Sequence, residues 1–143
     1  MIIEIKEKDK LLDMLNKALG WELRAHAMYA HYAAYVKGLE SVPLGEHFEE
    51  EATESIGHAK QVRDIIAQLD GTAVTDRDST AIVHTEDWKV MLEEALKTET
   101  TAAKTYKEIM PLVKEHPVFT HTLMHIYMDE LKAVDEVNTL LGK

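Results

Sequence analysis

Leu15-Asn16-Lys17-Ala18-Leu19-Gly20-Trp21-Glu22-Leu23-Arg24-Ala25-His26-Ala27-Met28-Tyr29 is the stretch on which the fold turns. At seven-residue spacing one stripe runs Leu15, Glu22, Tyr29, Val36, and its neighbour runs Leu12, Leu19, His26, Ala33. Apolar and aromatic residues at that period mark the inward face of a helix. The centre of each stripe is nevertheless ionisable. The segment is a long helix, from about Lys10 to Lys37, that brings a carboxylate and an imidazole to a core seam.

The pattern recurs. A second helix is expected from about Gly45 to Leu69, stopping at Asp70-Gly71 as a C-terminal glycine signal. Its stripes are Phe48, Ser55, Val62, Leu69 and Glu51, His58, Ile65. A third helix follows Thr85, a suitable N-cap, with Glu86 and Asp87 in the first turn where the dipole favours them. It runs to about Met110-Pro111 along Leu92, Glu99, Tyr106. A fourth opens at Pro117, a favoured first-turn residue, and runs to about Leu141. It carries Leu123, Glu130, Val137 beside Ile126, Ala133, Leu140.

The connections set the topology. Gly38 to Leu44 is short, as is 111 to 116, so each joins an antiparallel hairpin. Gly71 to Asp87 spans about 17 residues, unusually long for a compact domain. A link of that length can run along the bundle and leave the second and third helices parallel. Two hairpins joined by one long crossover make an all-α four-helix bundle of the ferritin-like arrangement, one domain over residues 1–143.

Composition narrows the chemistry. No cysteine is present, so disulfides and thiolate metal sites are excluded, and any metal needs carboxylate, imidazole or water ligands. No apolar run is long enough to span a membrane. Met1 to Lys10 alternates apolar and charged residues and lacks a signal peptide's apolar stretch, so a cytoplasmic protein is expected. The formal net charge of −10 opposes nucleic-acid binding, favours cations and also serves solubility.

A carboxylate inside a bundle costs several kcal/mol unless it is paired or binds a metal. One such residue has an ordinary explanation, a core Glu bonded to a Tyr or Arg. Glu22, Glu99 and Glu130 on three helices, with His58 on the fourth, are harder to explain so. A multivalent cation would relieve their repulsion, whereas Arg24 and Lys132 lie off the seams.

On these residues the chain resembles bacterioferritin within the ferritin–rubrerythrin superfamily. The stretch Leu15 to Leu23 is similar to that family's first ligand region, and Tyr29 to a tyrosine beside its metals. Glu54-Ser55-Ile56-Gly57-His58-Ala59, Leu96-Lys97-Thr98-Glu99 and Asp129-Glu130-Leu131-Lys132-Ala133 are similar to the other three. The resemblance implies metal ligation by Glu22, His58, Glu99 and Glu130. It also exposes two departures. The family places Glu-x-x-His on the second and fourth helices; here these read Ser55-x-x-His58 and Glu130-x-x-Ala133.

Two arrangements follow. In one, His26 and either Glu51 or Glu54 serve as replacement ligands, and iron is bound and oxidised or stored, manganese and zinc remaining open. In the other, the site holds one metal or none and the fold is a scaffold or interaction module. His121 and His125 are further ligand candidates at poorer stripe positions. Tyr29, Tyr106 and Tyr127 lie at core spacing and could donate hydrogen bonds or electrons. Haem is not expected, because the resemblance puts Ile56 where that family has its haem methionine. The chain ends 13 residues past Glu130 (143 − 130), so a fifth helix is not expected. A homo-oligomer is expected, a dimer at minimum or a larger shell, packed through the first two helices, where Trp21, Met28, Tyr32 and Tyr35 give apolar area outside the core.

Overall fold

The structure, a computed structural model, describes residues 6–143; the first half of the Met1–Lys10 stretch lies outside them. Four helices account for the fold: α1 (Lys8–Tyr35), α2 (Ser41–Gln68), α3 (Trp88–Val113) and α4 (Pro117–Leu140). No strand occurs among the described residues. α1 packs most extensively on α2, and α3 on α4, as two hairpins. The bonds Tyr106–Glu22 and Tyr29–Glu99 pair α1 with α3 in opposite directions. With α1 and α2 also antiparallel, α2 and α3 run parallel, as the long crossover requires.

The crossover is fastened along α1. Asn16 Nδ2 donates to Thr72 O, Asp78 N to Gly20 O, and Tyr32 Oη to Val83 O. The crossover lies directly on α1 at Gly20, where a Cβ would stand in van der Waals contact with Asp78 N at 3.4 Å. Arg24 is buried and takes the middle of the crossover: Nε donates to Thr80 O, Nη2 to Ala81 O and Nη1 to Thr98 Oγ1. Its charge is thus committed to backbone carbonyls, leaving the seam carboxylates without it.

Several boundaries differ from the sequence reading. α2 begins at Ser41 rather than near Gly45, because Pro43 falls in the first turn, where no intrahelical N–H bond is needed. The α3 N-cap is Asp87, not Thr85: Asp87 Oδ1 accepts from Lys89 N, while Thr85 Oγ1 accepts from Asp87 N in the preceding turn. α3 also continues through Pro111 to Val113. At the end of α2 the left-handed residue is Asp70, with φ 59°. Gly71 packs closely against α1, since a Cβ there would lie 2.5 Å from Leu12 Cδ2 and that side chain would have to move.

The apolar core divides in two. One cluster gathers Leu11, Leu15, Leu19, Ile66, Ile109 and Leu123 with their neighbours. The other gathers Met28, Tyr32, Phe48, Met91, Leu92 and Val137. Met28 and Tyr32, expected on an outer face, are fully buried here; the helical stripe through them faces α3 and the crossover. Of that expected interface Tyr35 is 42 % exposed, and Trp21 is half-buried with the Arg24 guanidinium over its ring.

Candidate metal centre

Between the two apolar clusters lies a polar layer supplied by all four helices. Glu22 of α1, Ser55 and His58 of α2, Glu99 of α3 and Glu130 of α4 are all buried. Each occupies the middle of a helix whose flanking stripe residues are fixed by packing. The ionisable side chains therefore have little freedom to reach water.

His58 stands at the centre. Its Nδ1 lies 3.1 Å from Glu22 Oε2 and 3.3 Å from Glu130 Oε1. Neither approach is aligned as a hydrogen bond, and Nδ1 is buried without a partner. The other nitrogen, Nε2, donates to Asp129 Oδ2 at 3.0 Å. With Nε2–H held by Asp129, a cation that displaced the Nδ1 proton would meet an Nδ1 lone pair directed between the two carboxylates. Glu22, His58 and Glu130 offer three ligating atoms within 4.8 Å of one another. An imidazole nitrogen with two carboxylate oxygens around one point fits a divalent first-row cation.

Glu99 completes the layer from α3. Tyr29 Oη donates to its Oε1 at 2.7 Å, and Tyr106 Oη donates to Glu22 Oε2 at 2.9 Å. Burial pushes the Glu99 carboxyl well above the usual carboxylate range, and the neighbouring Glu130 adds to the shift. Glu130 is raised to about 7, by burial and then by the charge of Glu22. Glu22 is raised by burial, with His58 opposing. For His58, burial works to lower the pKa, but the adjacent Glu130 and Glu22 carboxylates overcome it and raise it to about 11. The layer without metal thus stores protons on Glu99 and His58 that a cation would displace.

The remaining residues singled out in the sequence lie further out. Glu54 is partly exposed, with Oε1 3.6 Å from His58 Nε2, and forms an outer group with His58 and Asp129. Glu51 is raised to about 8 by burial and then by Glu99, and it groups with His47 and Glu136 instead. His26 donates from Nδ1 to Ala52 O at 2.9 Å and is not among the groups of converging ligands. His121 and His125 stack edge to face on the exposed side of α4. Tyr127 is only partly buried, unlike Tyr29 and Tyr106. Sequence reading missed Asp129, His47 and Glu136. Each adjoins a stripe residue (Glu130, Phe48 and Val137), about 100° around the helix, where heptad counting expects surface.

A family model for the ferritin-like domain matches residues 12–143. The chain is similar in structure to ferritin-like, diiron-carboxylate proteins from Bacillus anthracis. That match has 28 % identity and a TM-score of 0.90, covering 96 % of this chain and 99 % of the other. It is also similar to a dodecameric thioferritin, the bacterioferritin-related protein of Bacteroides fragilis. There the identity is 26 % and the TM-score 0.88, over 95 % of this chain and 86 % of that one. No curated protein matches it in sequence. Helix order, crossover, polar layer and family match agree: the chain belongs to the ferritin-like domain family.

Proposed function

We propose that this protein binds iron in the polar layer and oxidises Fe(II) there, with Glu22, His58, Glu99 and Glu130 as its ligands. The observation that carries the reading is the buried Nδ1 of His58, without an aligned hydrogen bond and set between two buried carboxylates. Without metal the buried carboxylates there are compensated only by protons, and a cation at the same point satisfies all three side chains.

Fe(II) is the substrate, giving up an electron to dioxygen or peroxide. The chain's own part is electrostatic and positional. Carboxylates favour the more highly charged oxidised ion, and the imidazole keeps the site acceptable to Fe(II). Asp129 holds the His58 tautomer, while Tyr29 and Tyr106 fix Glu99 and Glu22 by hydrogen bonds. Glu99 and His58 release protons as the ion enters. A homo-oligomer, as in the dodecameric relative, is part of the same proposal.

A second reading has its own support. Ser55 and Ala133 are buried and small at the two positions where the family resemblance places further ligands. A centre lacking both would hold one metal and serve a binding or scaffold role without rapid oxidation. Anaerobic loading with Fe(II) followed by exposure to air separates the two. The oxidising reading expects the ultraviolet absorbance of Fe(III) to rise faster than in protein-free buffer. A rise no faster than buffer, with iron bound, leaves the mononuclear reading standing.

A further inference from the structure

The buried layer does not use every ligating side chain of the bundle. His47 and Glu51 stand one turn apart on α2, and Glu136 meets them from α4. One ligating atom from each lies within 4.8 Å of the other two. None of the three belongs to the set Glu22, His58, Glu99 and Glu130.

Each member is short of partners. The His47 side chain is 11 % exposed, and its Nδ1 is 3.4 Å from Glu136 Oε1. Its Nε2 is buried with no hydrogen-bond partner. Glu51 is 9 % exposed and makes no hydrogen bond or ion pair among the described residues. The charges around it are mostly of its own sign: Glu99, Glu54 and Glu136, against His58 alone. Glu136, with a side chain 54 % exposed, opens the group to solvent.

We propose that His47, Glu51 and Glu136 form a second divalent-cation site, separate from the buried layer and reachable from water. An ion pair between His47 and Glu136 alone explains less, because it leaves Glu51 buried and repelled. A cation between them neutralises both carboxylates. One imidazole and two carboxylates leave coordination positions for water, a set suited to Fe(II), Mn(II) or Zn(II). The charges of Glu51 and Glu99 also interact, which links this group electrostatically to the buried layer. A loading role for the site rests on the proposed iron function; binding there does not.

Mn(II) alone is the probe, counted by the electron paramagnetic resonance of the free ion, on full-length protein stripped of metal. Glu99→Gln with Glu130→Gln disables the buried layer. That variant is expected to keep one Mn(II) site with a nitrogen coupling in its echo modulation. Adding His47→Gln and Glu136→Gln should abolish the coupling and weaken the remaining binding more than about tenfold. Glu136→Gln alone, an exposed change, should weaken it with the fold intact by circular dichroism. The proposal is overturned if the layer-disabled protein folds but binds no Mn(II), or binds it equally well without His47 and Glu136. If the wild type binds no more Mn(II) than the layer-disabled variant, the proposed iron centre fails while this site stands.

Discussion

Replacing Glu51 by Gln preserves the shape of a side chain that is 9 % exposed and removes its acidity. In the metal-free protein the Glu51 pKa is about 8, against an ordinary value of 4.5. The sign follows from proton counting. Between those values the native state holds a proton that the unfolded chain has released, so stability falls as pH rises. At pH 7 the difference is about 2.5 units, which at 1.36 kcal/mol per unit is about 3 kcal/mol. At pH 5 it is below about 1 kcal/mol, and above pH 8 it levels near 4–5 kcal/mol. Gln pays no such cost. Thermal unfolding of metal-free wild type and Glu51→Gln should therefore nearly coincide at pH 5 and diverge by pH 7, the variant melting about 10 °C higher. With saturating Mn(II) the advantage should shrink or reverse, because the variant forfeits a ligand. A melting difference that is the same at pH 5 and pH 8, or a variant less stable at both, would refute the reasoning.

Four further outcomes are expected. Asp129→Asn removes the carboxylate that accepts from His58 Nε2 and should weaken metal binding about 10–100-fold by titration, with the metal-free fold unchanged. Binding a divalent ion in the layer near pH 7 should release protons, from Glu99, Glu130 and His58, read from the buffer dependence of the calorimetric heat. Tyr29→Phe removes the 2.7 Å bond to Glu99 and should cost about 1–3 kcal/mol in chemical denaturation without metal, because a buried acceptor is stranded. Ser55→Glu combined with Ala133→His fills the two small positions of the layer and should raise bound iron per chain, measured by elemental analysis.

Most of the fold was legible because it depends on period and connection length. Four helices striped at seven-residue spacing and one long link define two hairpins and a crossover, and the structure has them. The layer was legible for the same reason: Glu22, His58, Glu99 and Glu130 interrupt otherwise apolar stripes, and all four are buried together. What escaped was whatever depends on the space between helices. Gly71 looks like a helix stop in sequence, yet the left-handed residue is Asp70, and Gly71 lies against the Leu12 side chain. Arg24 looks like surface, yet three polar groups on the crossover and α3 hold it inside. Met28 and Tyr32 look like interface, yet both are core. His26 lies one turn from Glu22 on the inner face, but the Ala52 carbonyl takes its Nδ1 proton. Asp129 could have been found by asking which side chain satisfies the far nitrogen of the buried His58 imidazole.

The most direct measurement is X-ray diffraction at the iron edge from crystals loaded anaerobically with Fe(II). Iron bound as proposed gives an anomalous peak inside the bundle, within bonding distance of His58 Nδ1 and of Glu22 and Glu130 oxygens, with Glu99 turned toward it or toward a second peak beside it. Saturating iron that leaves the polar layer empty, with peaks only at exposed carboxylates, would contradict it.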